Sequence, residues 1–141
     1  MRKAKTHLVF VDDDLLVLES IRANLRKSSL CCETHTFFRP EEALDFLKEH
    51  SVDAVISDEV MPEMLGTTFL EEVQRIDPTV SLILLTGQAS VSSVKKAVSD
   101  IGVYMFIEKP CAPTRMEQVL HLAVRHTAQR RSTALSSVGS A

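Results

Sequence analysis

Five short apolar runs, each followed by a stretch with helical spacing, constrain this chain more than any other feature of its sequence. The runs are residues 8–11, 31–38, 54–57, 81–86 and 103–107. They are nearly continuous, and several are rich in β-branched residues, as strands buried on both faces of a parallel sheet are. Between and after them, apolar residues recur at three- and four-residue intervals: Leu18, Ile21 and Leu25; Ala43, Phe46 and Leu47; Phe69, Val73 and Ile76; Val91, Val94 and Val98; Met116, Leu120 and Ala123. Each set makes the apolar stripe of an amphipathic helix. Pro40 stands where a first helical turn tolerates proline, with Glu41 and Glu42 on the favourable side of the helix dipole. Pro78 and Gly102 stand where the third and fourth helices should stop. Strand then helix, five times over, predicts an α/β fold: a doubly wound parallel sheet with helices on both faces and right-handed crossovers.

The chain has 141 residues, which suits one domain, assigned to residues 1–131. Residues 132–141, Ser-Thr-Ala-Leu-Ser-Ser-Val-Gly-Ser-Ala, are small and polar and are expected to form a flexible tail or the start of a linker. The net charge of −3 argues against direct binding to nucleic acid. Cys31, Cys32 and Cys111 are odd in number and lack metal spacing, so neither a disulfide framework nor a zinc site is expected, and reduced thiols in a cytoplasmic protein are. The basic start, Met1 to His7, is followed by too short an apolar run for a signal peptide. No apolar run approaches the ~20 residues of a membrane span. His121, Arg125, His126, Arg130 and Arg131 near the end of the fifth helix are expected to complement its C-terminal dipole rather than to bind nucleic acid.

In an open parallel sheet, ligands bind outside the carboxyl ends of the strands. The first strand delivers Asp12, Asp13 and Asp14 there, the third Asp58, the fourth Thr86 and Gly87, and the fifth Lys109 and Pro110. Taken singly, each has an ordinary structural explanation, and Asp14 is expected to cap the first helix. Together they are a set suited to phosphoryl transfer. Two like charges ~4 Å apart cost about 4 kcal/mol at an effective dielectric near 20, so a carboxylate cluster needs cations. Lys109 supplies one charge. A hard divalent ion that prefers oxygen ligands, Mg²⁺, would supply two more. Asp58 then suits the role of carboxylate nucleophile towards phosphorus, with Thr86 donating to a phosphoryl oxygen and Gly87 leaving room for the group.

The segments Leu8-Val9-Phe10-Val11-Asp12-Asp13-Asp14, Ala54-Val55-Ile56-Ser57-Asp58-Glu59-Val60-Met61-Pro62, Ile83-Leu84-Leu85-Thr86-Gly87 and Phe106-Ile107-Glu108-Lys109-Pro110 resemble the receiver domains of two-component response regulators (CheY-like), over about residues 6–126. The resemblance implies a five-stranded sheet in order 2-1-3-4-5. It implies that Asp58 accepts a phosphoryl group from a sensor histidine kinase or a phosphotransfer protein. Asp13, Asp58 and the backbone carbonyl of Val60 would ligate Mg²⁺, with Asp12 acting through a metal-bound water. Thr86 and Lys109 would contact the phosphoryl group, and the Lys109–Pro110 bond would be cis. It further implies a switch in which Thr86 moves towards the phosphate and Phe106 turns inward. The face made by the fourth helix, fifth strand and fifth helix (roughly residues 91–131) would address an output domain, a target protein or a second copy. A chain of this kind promotes only its own phosphorylation and dephosphorylation and is not an enzyme acting on other substrates.

Several positions depart from that pattern. Val60 is apolar two residues past Asp58, and Gln88 lies two past Thr86, so the phosphoryl lifetime is open. Cys111 stands after Lys-Pro where an aromatic is frequent. The main rival reading is a haloacid-dehalogenase-like, Mg²⁺-dependent phosphatase with Asp12 and Asp14 as nucleophile and acid. Leu15-Leu16 stands where Gly-Thr usually follows, no acidic pair follows Lys109, and Asp58 would have no role. A pseudo-receiver is disfavoured by the intact set of acids, Thr86 and Lys109. A flavodoxin-like cofactor binder is disfavoured by three acids where a phosphate loop should be.

Overall fold

The computed structural model describes residues 5–87 and 97–139. All five predicted strands form: β1 Thr6–Val11, β2 Cys32–Phe37, β3 Ala54–Asp58, β4 Ser81–Thr86 and β5 Met105–Glu108. They make one parallel sheet in the order β2-β1-β3-β4-β5. Helices α1 (Leu15–Arg26), α2 (Pro40–Glu49), α3 (Gly66–Ile76) and a C-terminal helix (Pro113–Gly139) cover it.

The strand sequences explain the two layers. Leu8 and Phe10 of β1, Ile56 of β3 and Ile83 of β4 pack with Leu18 and Leu25 of α1 and with Val119, Leu120 and Ala123 of the C-terminal helix. Val9, Val11, Val55, Leu82 and Leu84 pack on the other side against Ala43 and Leu47 of α2 and Phe69, Leu70 and Val73 of α3. Both faces of the central strands are therefore covered, which is why these runs lack a polar alternation. Each fully buried aliphatic side chain contributes about 1.5–3 kcal/mol relative to exposure. Asp14 caps α1 as expected, accepting from the Leu16 amide at 3.0 Å, and Pro40 occupies the first turn of α2.

Three expectations change. Val91 and Val94 of the fourth helical stripe lie outside the described residues, and the end of that segment is a π-helical turn, Ala97–Ile101, closed by Gly102 at φ 80°. The expected flexible tail is instead helix: residues 132–139 continue the C-terminal helix to Gly139. A linker-like composition is overridden there because a helix already nucleated by packing extends at little cost, one hydrogen bond per added residue. The basic residues assigned to a helix C-terminus consequently sit mid-helix and have other partners. His126 stacks on Tyr104 with ring centroids 4.3 Å apart, and His121 lies 3.6 Å from Glu117.

Arg131 has the largest set of contacts among them. Its guanidinium donates to the Val52 carbonyl at 2.7 Å, the Thr79 hydroxyl at 3.0 Å, Asp77 Oδ2 at 3.2 Å and Asp53 Oδ1 at 3.4 Å. One turn earlier, buried Thr127 donates to the Asp53 carbonyl at 2.6 Å and accepts from the Ser81 amide at 3.0 Å. These bonds fasten the C-terminal helix to the starts of β3 and β4, at the end of the sheet opposite the acidic residues.

At the other end, the chain leaving β3 folds back sharply into α3. The Gly66 amide donates to the Glu59 carbonyl at 2.8 Å. A Cβ at position 66 would stand 2.1 Å from the Asp58 carbonyl oxygen, a distance no carbon side chain can take. Gly66 thus fixes how closely α3 approaches the end of β3.

Two predictions follow from this packing. Burial opposes ionisation of Asp77, but hydrogen bonds from the Thr79 hydroxyl and amide, with Arg131 beside it, outweigh that and hold its carboxyl below the usual range. A depressed folded-state pKa stabilises above the unfolded value, about 3.9, and the gain disappears as pH falls through the folded value. Asp77→Asn is therefore expected to lower the urea midpoint at pH 7, and its deficit relative to the parent is expected to shrink towards pH 3. A pH-independent deficit would contradict this. Gly66→Ala, which must displace the Asp58–Glu59 backbone, is expected to lose on the order of 2 kcal/mol or more in the same assay. An unchanged midpoint would refute the steric argument.

Candidate functional site

The strand ends deliver their polar residues to one crevice, as the sheet order requires. β1 and β3 are neighbours, so Asp12 and Asp13 after β1 meet Asp58, the last residue of β3. One oxygen from each of these three carboxylates can be chosen so that all lie within 4.8 Å of one another. Asp12 is 2% exposed, Asp58's side chain 13%, and Asp13 is open to solvent. From the end of β5, Lys109 reaches across β4 and places its Nζ 2.9 Å from Asp58 Oδ1 and 3.2 Å from Asp12 Oδ2. The Lys109–Pro110 peptide is cis, and the Lys109 amide donates to the Thr86 carbonyl at 2.8 Å.

The electrostatics follow from this crowding. Burial raises the Asp12 carboxyl above its ordinary value; the Asp14 amide and Lys109 oppose that, and the charge of Asp58 adds to it. Burial alone would lower the Lys109 ammonium, but its hydrogen bonds and charge contacts with Asp58 and Asp12 outweigh burial and raise it, so the lysine stays cationic. One ammonium against three carboxylates leaves two negative charges uncompensated. The donor set, oxygen only and open on the Asp13 side, fits a hard divalent ion that keeps part of its water shell, such as Mg²⁺.

Thr86 is 1% exposed, and its hydroxyl donates to the carboxylate of Glu59. Glu59 is in turn set beside β4 by its amide, which donates to the Leu85 carbonyl at 3.0 Å. Sequence reasoning singled out Thr86 but not Glu59. The available signal was a second acid directly after a lone strand-end acid, but its partner depends on the β3–β4 register. Val60 follows with its side chain 69% exposed. Phe106 is half-buried and packs against the cluster beneath α2 and α3. A Cβ at Gly87 would meet nothing within 4 Å among the described residues, so the described surroundings do not demand glycine there. Gln88 lies outside the described residues.

The alternatives raised by the sequence fare poorly. Asp14, needed as the acid of a phosphatase pair, is turned away to cap α1. Cys111 is a free thiol, and burial pushes its pKa up despite the nearby Arg115. Among the described residues, no helix is long and apolar enough to cross a membrane.

Comparison with known proteins agrees with this geometry. The family model of the response regulator receiver domain matches residues 8–121. The transcriptional regulatory protein GlrR of Escherichia coli is 32% identical over 128 residues, covering 91% of this chain and 28% of that protein. The C4-dicarboxylate transport transcriptional regulatory protein DctD of Rhizobium meliloti is 28% identical over 143 residues, covering 96% of this chain and 30% of that one. The chain therefore spans less than a third of the length of these two relatives. Among solved structures, the signal receiver domain of an HD domain-containing protein from Pseudomonas fluorescens superposes with a TM-score of 0.84 at 26% identity, covering 94% of this chain and 96% of that one. A CheY-like receiver domain protein from Methanospirillum hungatei shares the fold, with a TM-score of 0.81 at 22% identity over 89% of this chain and 98% of that one. A parallel sheet in the order 2-1-3-4-5, an acidic cluster bridged by a lysine, and a family match over most of the length place this chain in the response regulator receiver domain family.

Proposed function

We propose that Asp58 is the phospho-acceptor of this receiver domain. The observation that carries the proposal is the Asp58 carboxylate at the end of the central strand, oriented by the Lys109 ammonium, beside Asp12 and Asp13. An Asp58 oxygen attacks phosphorus, and the bond to the donor's leaving group breaks as the new one forms. Lys109 stays with the transferred group and offsets its charge. Asp13, Asp58 and the Val60 carbonyl would hold Mg²⁺ directly, and Asp12 would act through a metal-bound water. The ion, when bound, neutralises charge on the phosphoryl oxygens and on the acids that gather around it.

The natural donor in this reading is a phosphohistidine on a sensor kinase or phosphotransfer protein. Leu15 (48% exposed) and Leu16 (74%) at the start of α1, and Val60 and Leu65 (55%) between β3 and α3, are exposed apolar residues close in sequence to the acids, which suits a protein donor better than a free metabolite. The signal would leave through β5, the C-terminal helix and the segment before β5, towards an output domain, a target protein or a second copy in the cytoplasm. A phosphoryl group carrying about −1.5 to −2 in place of the single carboxylate charge of Asp58 would disfavour the nearby Glu59 carboxylate and offer Thr86 a stronger acceptor. Thr86 exchanges one for the other, and Phe106 follows into the space that opens.

Two measurements test this. With a small-molecule phosphodonor and Mg²⁺, intact mass should show one phosphoryl adduct that disappears in Asp58→Asn and on removal of the metal. No adduct with any donor, or an unchanged adduct in Asp58→Asn, would refute the assignment. Glu59→Ala removes the acceptor that occupies Thr86. A charge-assisted hydrogen bond contributes about 1.5–3 kcal/mol, so the phosphodonor concentration that half-converts the Thr86 methyl resonance should fall by roughly ten- to a hundredfold. An unchanged midpoint in Glu59→Ala would show that Glu59 does not hold the switch.

A further inference from the structure

A second group of metal-binding side chains lies at the opposite end of the sheet from the acids. β1 and β2 pair with Thr6 opposite Cys32, His7 opposite Glu33, and Val9 opposite His35. Alternation puts His7 on the same face of the sheet as Val9, beneath α2, and parallel pairing puts Glu33 and His35 on that face too. The result is a compact triad. His7 Nδ1 lies 3.2 Å from His35 Nε2 and 3.8 Å from Glu33 Oε2, and all three donor atoms lie within 4.8 Å of one another. His7 lies 28 positions from His35 in sequence, so no local spacing pattern brings it to Glu33 and His35.

These distances have a chemical meaning. Ligands held about 2.0–2.1 Å from a tetrahedral Zn²⁺ are about 3.3–3.4 Å from each other. The two separations lie on either side of that edge length, the shorter being a hydrogen bond between the two imidazoles that a bound ion would replace. The side chains of His7 and Glu33 are 38% and 50% exposed, so an ion can reach them and a water can complete the coordination. The His35 ring is held from its outer side by Phe46, with centroids 4.7 Å apart, and Phe46 is backed by His50 at 4.1 Å. Burial, with His7 and His50 nearby, keeps the His35 imidazole more neutral than usual despite Glu33, which is the form that ligates metal.

We propose that His7, Glu33 and His35 form a binding site for a divalent transition ion of the Zn²⁺ class, joining the edge strand β2 to β1 and separate from the carboxylate cluster. Two imidazoles and one carboxylate select borderline ions over Mg²⁺, which favours oxygen-only sets. The proposal does not depend on the phosphoryl chemistry at Asp58.

The test is Zn²⁺ titration by calorimetry in saturating Mg²⁺, with X-ray absorption to identify the ligand atoms. One Zn²⁺ should bind with a nitrogen and oxygen shell and raise Tm. Binding should persist in Asp13→Asn/Asp58→Asn and in Cys31→Ser/Cys32→Ser, and should be lost in His7→Asn/His35→Asn. Folding of the histidine variant is checked by its circular dichroism and its retained phosphorylation on Asp58. Loss of the ion in the acid variant, a sulfur shell, or retention in the histidine variant would each overturn the assignment. No binding by the parent protein would overturn it as well.

Discussion

The ammonium of Lys109 between Asp58 and Asp12 is the contact on which the rest of the crevice depends. Without a cation there, three carboxylates with donor atoms this close would repel by several kcal/mol. The fold accepts the remaining imbalance: it keeps two excess negative charges at one end of the sheet and pays with stability. Such a site fits a divalent ion, and it is the place at which the proposed phosphoryl group would be held. Lys109 gets there because β5 is the edge neighbour of β4 and the Lys109 amide is tied to the Thr86 carbonyl at the end of β4.

Charge also organises the second layer of the site. Thr86 is buried, and a buried hydroxyl needs a partner. Glu59 meets that need in the unmodified protein. In the proposed switch, a phosphoryl group on Asp58 would compete with this carboxylate for the one Thr86 hydroxyl.

Much of this was legible in the sequence because it is local. Strand ends, capping by Asp14, the proline at the start of α2 and the positions of Asp12, Asp13, Asp58, Thr86 and Lys109 depend on short stretches whose hydrophobic period sets the structure. What was not legible depends on register between strands or on packing. The Glu59–Thr86 pair needs β3 beside β4, and the His7–Glu33–His35 group needs β1 paired in register with β2. Arg131 looked like a helix-end cation because the residues after it are small and polar. Its actual partners, Val52, Asp53, Asp77 and Thr79, come from two distant loops. For the same reason composition misjudged residues 132–139, whose helix is propagated from a packed segment rather than chosen by its own residues.

The bonds of Thr127 and Arg131 to the starts of β3 and β4 are the last anchor of the C-terminal helix on the sheet among the described residues. The C-terminal helix begins at Pro113, just past the crevice, and is clamped partway along. At 1.5 Å per residue, about 21 Å of helix lies between Pro113 and Thr127, and about 18 Å from Thr127 to Gly139. The two arms are nearly equal. The first arm is seated in the core through Met116, Val119, Leu120 and Ala123, whereas residues 132–135 on the second stand exposed, so the helix carries the orientation of the sheet outward past its last anchor.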